Sequence, residues 1–552
     1  MKSRSQVLEI AKEREFDLVV IGGGVVGAGV AQDAASRGLS VLLIEKDDFA
    51  SGTSSRTTKL IHGGLRYLEQ FQFRLTRELC QERGLLEQLA PHMVRDFSFL
   101  MPIRKGNTFF GLKAEVGLSL YDLLSVNARG VRRHERLGRK AAQEAAPSLN
   151  ADRLTAALRF HDCITDDARI VMEVLKSACS FGALAVNYLE AKGFEMKDGR
   201  IARIICRDRL GAQEMTISCR ACVNATGVWS DKLLKQVDEN WHGKVLPAKG
   251  THIMLPLSSF ETNTALFLPT PDGRYVFVVP WQKALMVGTT DTAYDGPLDN
   301  PTPTTEEIDY LLSVLNSYRR PESKELTRID VIAAWSGLRP LVGNEGDKTA
   351  NVSREHLLFT GPGDIVGLIG GKLTNYRMLS IHVTDMILEQ LKKHNPGQYS
   401  DIKPTHTGTI MLGGWTDKND YLATTAQISA RARKLSLEPA TLEHLTATYG
   451  KDALAVLDIV EGDPSMGERI CPDFPPILAE VQFVIENEMA IALEDIVARR
   501  IRLAFVHQGQ CLAAAPRVAA IAERVANWDT ARVGHEIGHL ERSLSSQLAP
   551  AF

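Results

Sequence analysis

Residues 16–45 constrain this chain more than any other stretch: they read as a buried strand, a glycine-rich turn, a helix and a second strand ending in an acid. Gly22, Gly24 and Gly27 follow Leu18-Val19-Val20-Ile21 in the spacing GxGxxG, with Gly23 inside the turn. The first glycine permits the tight turn, the second admits a pyrophosphate to the backbone, and the third lets helix and strand pack closely. Ala28, Ala31 and Ala35 keep that helix face small. The helix amino terminus then points its N–H groups at phosphate oxygens. Glu45 ends the strand Val41-Leu42-Leu43-Ile44, near the separation from Gly22 at which a carboxylate reaches a ribose hydroxyl and repels a 2′-phosphate. FAD or NAD fits this unit, and NADP does not.

Three later segments bear on which dinucleotide is held. Residues 221–227 form a short apolar strand ending in Ala225, Thr226 and Gly227, a small corner able to lie against a cofactor. Residues 367–376 repeat the strand, glycine, helix order, with Gly371, Lys372, Leu373 and Thr374 at the turn, and offer a second helix amino terminus. Residues 51–59, with Thr53, Ser54 and Lys59, are a hydroxyl-rich loop able to donate to phosphates or ribityl oxygens. A flavin needs such additional contacts.

The 552 residues, 44% apolar and 24% charged, are enough for two or three domains with large cores. A net charge of −3 gives no basic excess for nucleic acid. Eight cysteines lack the density of a disulfide framework and suit a reducing compartment. Cys219 and Cys222 are read as lying on one strand, where residues three apart face opposite ways, so no shared metal or disulfide is expected. The charged segment 1–15 has no apolar core of a signal peptide, and no uncharged apolar run is long enough to span a bilayer. A cytoplasmic location, or one on a membrane's inner face, follows as an expectation.

Along the chain, residues 60–90 read as helical, a helix is expected near Asp167–Ser180, a strand near 183–188 and a hairpin at Asp198-Gly199. From Pro247 to about Arg354 the pattern is strand-like, with 275–279 and 284–287 flanking a turn. Beyond Pro404 it is helical, and Leu493, Ile496, Val497, Ile501 and Ala504 make one apolar helix face.

Taken in order over residues 16–390, GGGVVGAG, TSSRTTKLIHGGLRYL, NATGVW, KGTHIMLP, VFVVPW, VGTTD, SGLRPL and GGKLTNYR resemble the FAD-dependent glycerol-3-phosphate dehydrogenases of the aerobic type. The resemblance implies an α/β fold: a Rossmann-like FAD-binding domain interleaved with an antiparallel-sheet substrate domain, followed by a carboxy-terminal helical domain. The expected division is 16–90, 151–230 and 355–390 for the first, 91–150 and 231–354 for the second, and 400–552 for the third. It implies oxidation of sn-glycerol 3-phosphate to dihydroxyacetone phosphate, with hydride passing from C2 to flavin N5 and electrons to membrane quinone. An oxidase using oxygen and releasing peroxide is the alternative. No metal is expected, an iron–sulfur accessory is not supported by the two tail cysteines Cys471 and Cys511, and a homodimer is allowed.

A phosphate monoester is nearly a dianion, so its pocket needs several cations. The family pattern places Arg66 and Tyr67 in HGGLRYL, Arg339 in SGLRPL, Arg354 in NVSRE and Lys372 in GGKLTNY at the substrate, and Gly63 and Gly64 beside the cofactor. An amino-acid oxidase of the same superfamily would need fewer cations, and a silent flavin-binding descendant need not keep them. For the hydroxyl proton, His62 and His252 are both candidates, with Arg339 stabilising the developing negative charge. Asp291, Thr289 and Thr290 in GTTDT resemble a family turn and stay outside the catalytic set. Between Arg95 and Lys140, ten arginines and lysines face four acids and alternate with large apolar residues, which suits an anionic lipid surface.

Overall fold

The structure, a computed structural model, describes residues 1–125, 132–343 and 356–548. Among these, six strands make a sheet in the order β18 (Leu357–Thr360), β19 (Val366–Ile369), β11 (Cys222–Asn224), β1 (Leu18–Ile21), β2 (Val41–Ile44) and β7 (Leu184–Val186). All pairings but β18–β19 are parallel. Every residue of β1, β2, β11 and β19 is buried, as a sheet covered on both faces requires. The helices Val25–Ser36, Asp167–Ser180 and Tyr376–His394 supply the cover. The hairpin β8 (Leu189–Lys197) and β9 (Arg200–Asp208), extended by β10 (Glu214–Ser218), leaves this unit. Its turn carries positive φ at Asp198 and Gly199, the backbone that a two-residue hairpin of this composition favours.

The second sheet runs β16 (Thr292–Ala293), β12 (Val245–Pro256), β15 (Ala284–Gly288), β14 (Tyr275–Trp281), β13 (Ala265–Pro269), β4 (Arg95–Arg104), β6 (Leu154–Ile164) and β3 (Leu60–Ile61). Within it β17 (Ala333–Val342) pairs β12, and β5 (Glu135–Leu137) pairs β6. It is antiparallel except at β13–β4. Alternation sorts its side chains: Ile253, Leu255 and Val287 pack on the helix Thr305–Tyr318, while Met254, Met286 and Trp335 face the carboxy-terminal helices. That helix departs from the strand-like reading of 247–354. Residues 154–164 and 60–61 also differ from the expected division, since both are strands of the second sheet rather than of the nucleotide unit.

The tail is helical, as the sequence suggests, but the apolar stripe from Leu493 to Ala504 is not one α-helix. Asp495–Arg500 is a π-turn, and Arg502 adopts a left-handed φ of 70° before a short helix Leu503–Val506. All five stripe residues are buried, while Arg499, Arg500 and Arg502 turn inward to carboxylates of the nucleotide unit. Cys219 and Cys222 are not on one strand: Cys219 makes an isolated bridge to Phe16 and Cys222 opens β11. All eight cysteines are free thiols.

Candidate functional site

At the carboxyl end of β1 the backbone of Gly22 takes a φ of 113°, open in practice to glycine. A Cβ on Gly27 would lie 1.9 Å from the Gly22 carbonyl oxygen, and one on Gly22 would lie 2.6 Å from the Ala225 oxygen. Helix, turn and β11 therefore meet at backbone contact distance. Gly24 is the amino-terminal cap of the helix Val25–Ser36 and offers it no side-chain partner. The Val25 N–H instead donates to Ser54 Oγ at 3.0 Å, which fixes the 51–59 loop over the helix end.

Glu45 turns back across the same corner. Its carboxylate accepts from the Gly23 N–H at 2.6 Å and from the Asp47 N–H at 2.9 Å. Burial pushes its pKa up to about 7 against those two bonds. A carboxyl held there can accept from ribose hydroxyls without moving its chain.

These groups border a large cavity open to solvent. Gly22, Gly24, Glu45, Thr53 and Ser54 meet Ala225, Thr226 and Gly227 around it, and Gly371, Lys372 and Leu373 close it from the second glycine turn. Sequence reasoning missed Trp229 and Pro340 in its wall. Trp229 packs 2.9 Å from where a Gly52 Cβ would sit and carries the Lys46 ammonium 4.3 Å above its ring. The tryptophan lies inside the quoted NATGVW run and the proline inside the quoted SGLRPL run, so the signal was available for both.

The remaining cofactor candidates hold the walls rather than line them. Gly63 donates its N–H to Tyr121 Oη at 2.8 Å and to Asp162 Oδ1 at 3.2 Å, and Gly64 has a left-handed φ of 75°. The Thr374 hydroxyl bridges the His62 N–H and carbonyl at 3.1 and 3.2 Å. Lys59 is corrected: its ammonium is buried, 3.1 Å from Asp167, and points away from the cavity. Burial lowers it to about 8 despite that carboxylate.

Of the substrate candidates, Lys372 Nζ sits 4.2 Å over the ring of buried Tyr67, beside His62. Arg339 donates to Thr289 Oγ1 at 3.0 Å and to Asp291 Oδ1 at 3.3 Å, so the GTTDT turn orients this guanidinium. Arg66 lines a neighbouring apolar cleft with Tyr275 and Phe267 instead of the large cavity. Arg354 lies outside the described residues. The two histidines differ in access. His62 is half-buried at the corner, whereas His252 is 2% exposed, stacked on Trp335, with Nε2 2.9 Å from Thr58 Oγ1. Burial, reinforced by Lys59 and Arg339, holds His252 well below its ordinary range.

A glycine cradle at a helix amino terminus, an acid placed for ribose, and a second glycine turn from far along the chain define a flavin-dependent oxidoreductase of the two-domain kind. A family profile described as FAD dependent oxidoreductase matches residues 17–377, and one described as the C-terminal domain of alpha-glycerophosphate oxidase matches 405–533. The aerobic glycerol-3-phosphate dehydrogenase of Bacillus subtilis is 36% identical over 505 residues, covering 90% of this chain and 89% of its own. The mitochondrial glycerol-3-phosphate dehydrogenase of Homo sapiens is 34% identical, covering 98% of this chain and 76% of its own. The crystal structure of a Bacillus halodurans glycerol-3-phosphate dehydrogenase complexed with FAD superposes with a TM-score of 0.80 at 29% identity, over 100% of this chain and 98% of that one. The chain belongs to the FAD-dependent glycerol-3-phosphate dehydrogenase family, and FAD is its cofactor.

Proposed function

We propose that this protein oxidises sn-glycerol 3-phosphate to dihydroxyacetone phosphate and passes the electrons to a membrane quinone. When bound, FAD would supply the hydride acceptor; the chain's own residues bind the phosphate, orient C2 and take the hydroxyl proton. Lys372 lines the large cavity with its ammonium over the Tyr67 ring, Arg339 is fixed by the GTTDT turn next to Pro340 of the cavity wall, and cations held in this way suit a phosphate monoester. Arg354 joins this set as a further cation for the phosphate, whereas Arg66 lines the neighbouring cleft. His62 is the proton acceptor in this reading. Burial holds its pKa below the ordinary value, Lys372 and Arg83 add to the effect against Asp162, and a neutral imidazole accepts a proton at neutral pH. The buried ring of His252, with Nε2 committed to Thr58, is the less accessible of the two.

One observation carries the choice of quinone over oxygen. On the helix Thr108–Leu124, Phe109, Leu112, Val116 and Leu123 lie on the solvent side, 80%, 63%, 63% and 66% exposed, with Phe71 at 79% beside them. A contiguous apolar face of this kind marks a lipid or partner surface. Beneath it lies the cleft that holds Arg66, Phe267 and Tyr275. Phe267 stacks on Tyr275 at 4.3 Å and meets Phe277 at 4.9 Å, and Phe277 lies 6.4 Å from the His62 ring. An apolar acceptor entering from lipid would thus approach the site over aromatic surface, a route that oxygen does not need. Among the described residues no helix is long and apolar enough to cross a membrane, so attachment here is to one surface. The basic residues nearby are largely engaged, Arg136 with Glu115 at 2.5 Å and Lys113 with Glu69 at 3.2 Å, which leaves anionic lipid a supporting role.

The test is stoichiometry. Holoenzyme on quinone-loaded anionic vesicles, given sn-glycerol 3-phosphate in air, is expected to yield about one reduced quinone per ketone product and little peroxide. Equimolar peroxide with quinone left oxidised would establish the oxidase instead.

A further inference from the structure

The cavity-lining stretch from Glu45 to Lys59 is not held by the nucleotide unit alone. Behind it, away from the cavity, lies a buried cluster of opposite charges whose arginines come from the carboxy-terminal domain. Asp48 accepts from Arg499 Nε at 2.7 Å and from Arg500 Nη1 and Nη2 at 2.8 and 2.9 Å. At the other end, Arg502 Nη2 donates to the Ser55 carbonyl at 2.9 Å and to Asp167 Oδ1 at 2.7 Å. The same guanidinium also reaches Asp166 through Nε at 3.2 Å and the Ala498 carbonyl through Nη1 at 2.6 Å.

Asp167 is the hinge of this arrangement. Its other oxygen accepts from the Thr57 N–H and the Thr57 hydroxyl, both at 2.8 Å, and Lys59 Nζ lies 3.1 Å from Oδ1. Thr57 faces the cavity, and Thr58 next to it holds His252 Nε2 at 2.9 Å. One carboxylate therefore connects a cation of the tail to Thr57 of the cofactor loop, next to the threonine that holds His252. Arg502 is 1% exposed and sits in a left-handed backbone that a non-glycine residue adopts only when its surroundings impose it. A guanidinium serving four acceptors, of which Ser55, Asp167 and Ala498 are buried, is such an imposition, since leaving those three bare in the interior is costly.

We propose that Arg502, acting through Asp167, is a positioning residue for the cofactor loop: the carboxy-terminal domain completes the FAD site from behind without touching it. The tail matched to the oxidase C-terminal domain then has a physical task. It holds residues 53–58 in the conformation that presents Thr53, Ser54 and Thr57 to the cavity, so that FAD binding does not have to order the loop. A loop ordered in advance binds more tightly because the ordering cost is met during folding. Glu480 provides the comparison. It accepts from His444 and Tyr449, both at 2.8 Å, wholly inside the helical domain, and none of its hydrogen bonds involves the loop.

The experiment compares wild type, Arg502→Met, Arg502→Lys and Glu480→Gln, each as full-length chain stripped of FAD and titrated with it, alongside amide exchange across 51–59 and thermal melting. Arg502→Met is expected to weaken FAD roughly 10- to 100-fold and to speed exchange at 53–58 in the stripped protein, with protection restored at saturating FAD. Arg502→Lys keeps the charge but cannot serve all four acceptors, and is expected to fall between, about three- to tenfold weaker. Glu480→Gln is expected to lower the melting temperature while leaving FAD affinity within about twofold. The proposal is overturned if Arg502→Met and Arg502→Lys bind FAD within about twofold of wild type, if exchange at 53–58 does not change, or if Glu480→Gln loses affinity in step with its melting temperature. Should Arg502→Met fail to fold, Arg502→Lys against Glu480→Gln decides by the same readings.

Discussion

Replacing Phe109 and Val116 by serine tests the membrane reading where it makes its largest claim. Both side chains stand out from the helix Thr108–Leu124, 80% and 63% exposed, and among the contacts described neither supports the fold from below. Fully burying a side chain of this kind is worth about 1.5–3 kcal/mol. Scaled by the exposure each has to lose, with phenylalanine near the top of that range and valine near the bottom, the pair is worth roughly 3 kcal/mol of transfer into lipid. That corresponds to about a hundredfold in partition constant. Flotation with vesicles of mixed anionic and neutral lipid measures it directly, and activity with a water-soluble dye should be unchanged because the site itself is untouched. Charge reversal at Arg132, Arg133 and Arg136 should add a smaller, salt-sensitive loss. Vesicle binding unchanged by the double serine variant would refute the argument, and so would an equal loss of dye activity, which would place these residues in the fold rather than on its surface.

Three further outcomes follow from the geometry. Gly27→Ala puts a methyl 1.9 Å from the Gly22 oxygen, so helix and turn must separate; a loss of roughly 1–3 kcal/mol in stability together with weaker FAD binding is expected, read by melting and by FAD titration. Lys372→Met removes a cation that holds the His62 imidazole below its ordinary range, so the acidic limb of the kcat/KM profile should move to higher pH, besides a rise in KM; a limb that stays put would remove His62 from the role given to it. Glu488 is buried between Arg169, Lys176 and Arg500, and although burial alone would raise it, these cations hold it at about 2 against 4.5 when free. A depressed carboxyl stabilises the fold above its free value and loses that contribution as pH falls toward the folded one, so Glu488→Gln should cost roughly 3 kcal/mol at neutral pH, with the gap to wild type closing in acid.

What the sequence made legible was local. The unit β1, glycine turn, helix and β2 with Glu45 follows from thirty consecutive residues whose apolar runs, glycines and acid all agree. The helix Asp167–Ser180 was equally readable, and Asp166 caps it by accepting from the Arg169 N–H. The helix Thr305–Tyr318 was missed inside a strand-like region, although Thr304 and Glu307 form a capping box that announces it. From the sequence, Lys59 falls among the cofactor contacts because it ends a hydroxyl-rich loop able to donate to phosphates or ribityl oxygens. Its partner Asp167 lies more than a hundred residues away, and nothing in the loop itself discloses that pairing. The break at Arg502 was illegible for the same reason: apolar spacing favours a continuous helix, and three arginines that seek carboxylates of another domain override it. Local pattern thus specified the cofactor cradle, while the parts fixed by long-range charge pairing had to be seen.

The central claim is that a flavin lies beside cations shaped for a small phosphorylated alcohol. It is tested most directly by mixing the yellow holoenzyme with sn-glycerol 3-phosphate under anaerobic conditions and following the visible absorbance. The account predicts rapid bleaching by the phosphate ester, none by glycerol at the same concentration, and a much higher concentration requirement in Arg339→Met and Lys372→Met. Bleaching that ignores the phosphate, or a flavin that stays oxidised with the ester present, would contradict it.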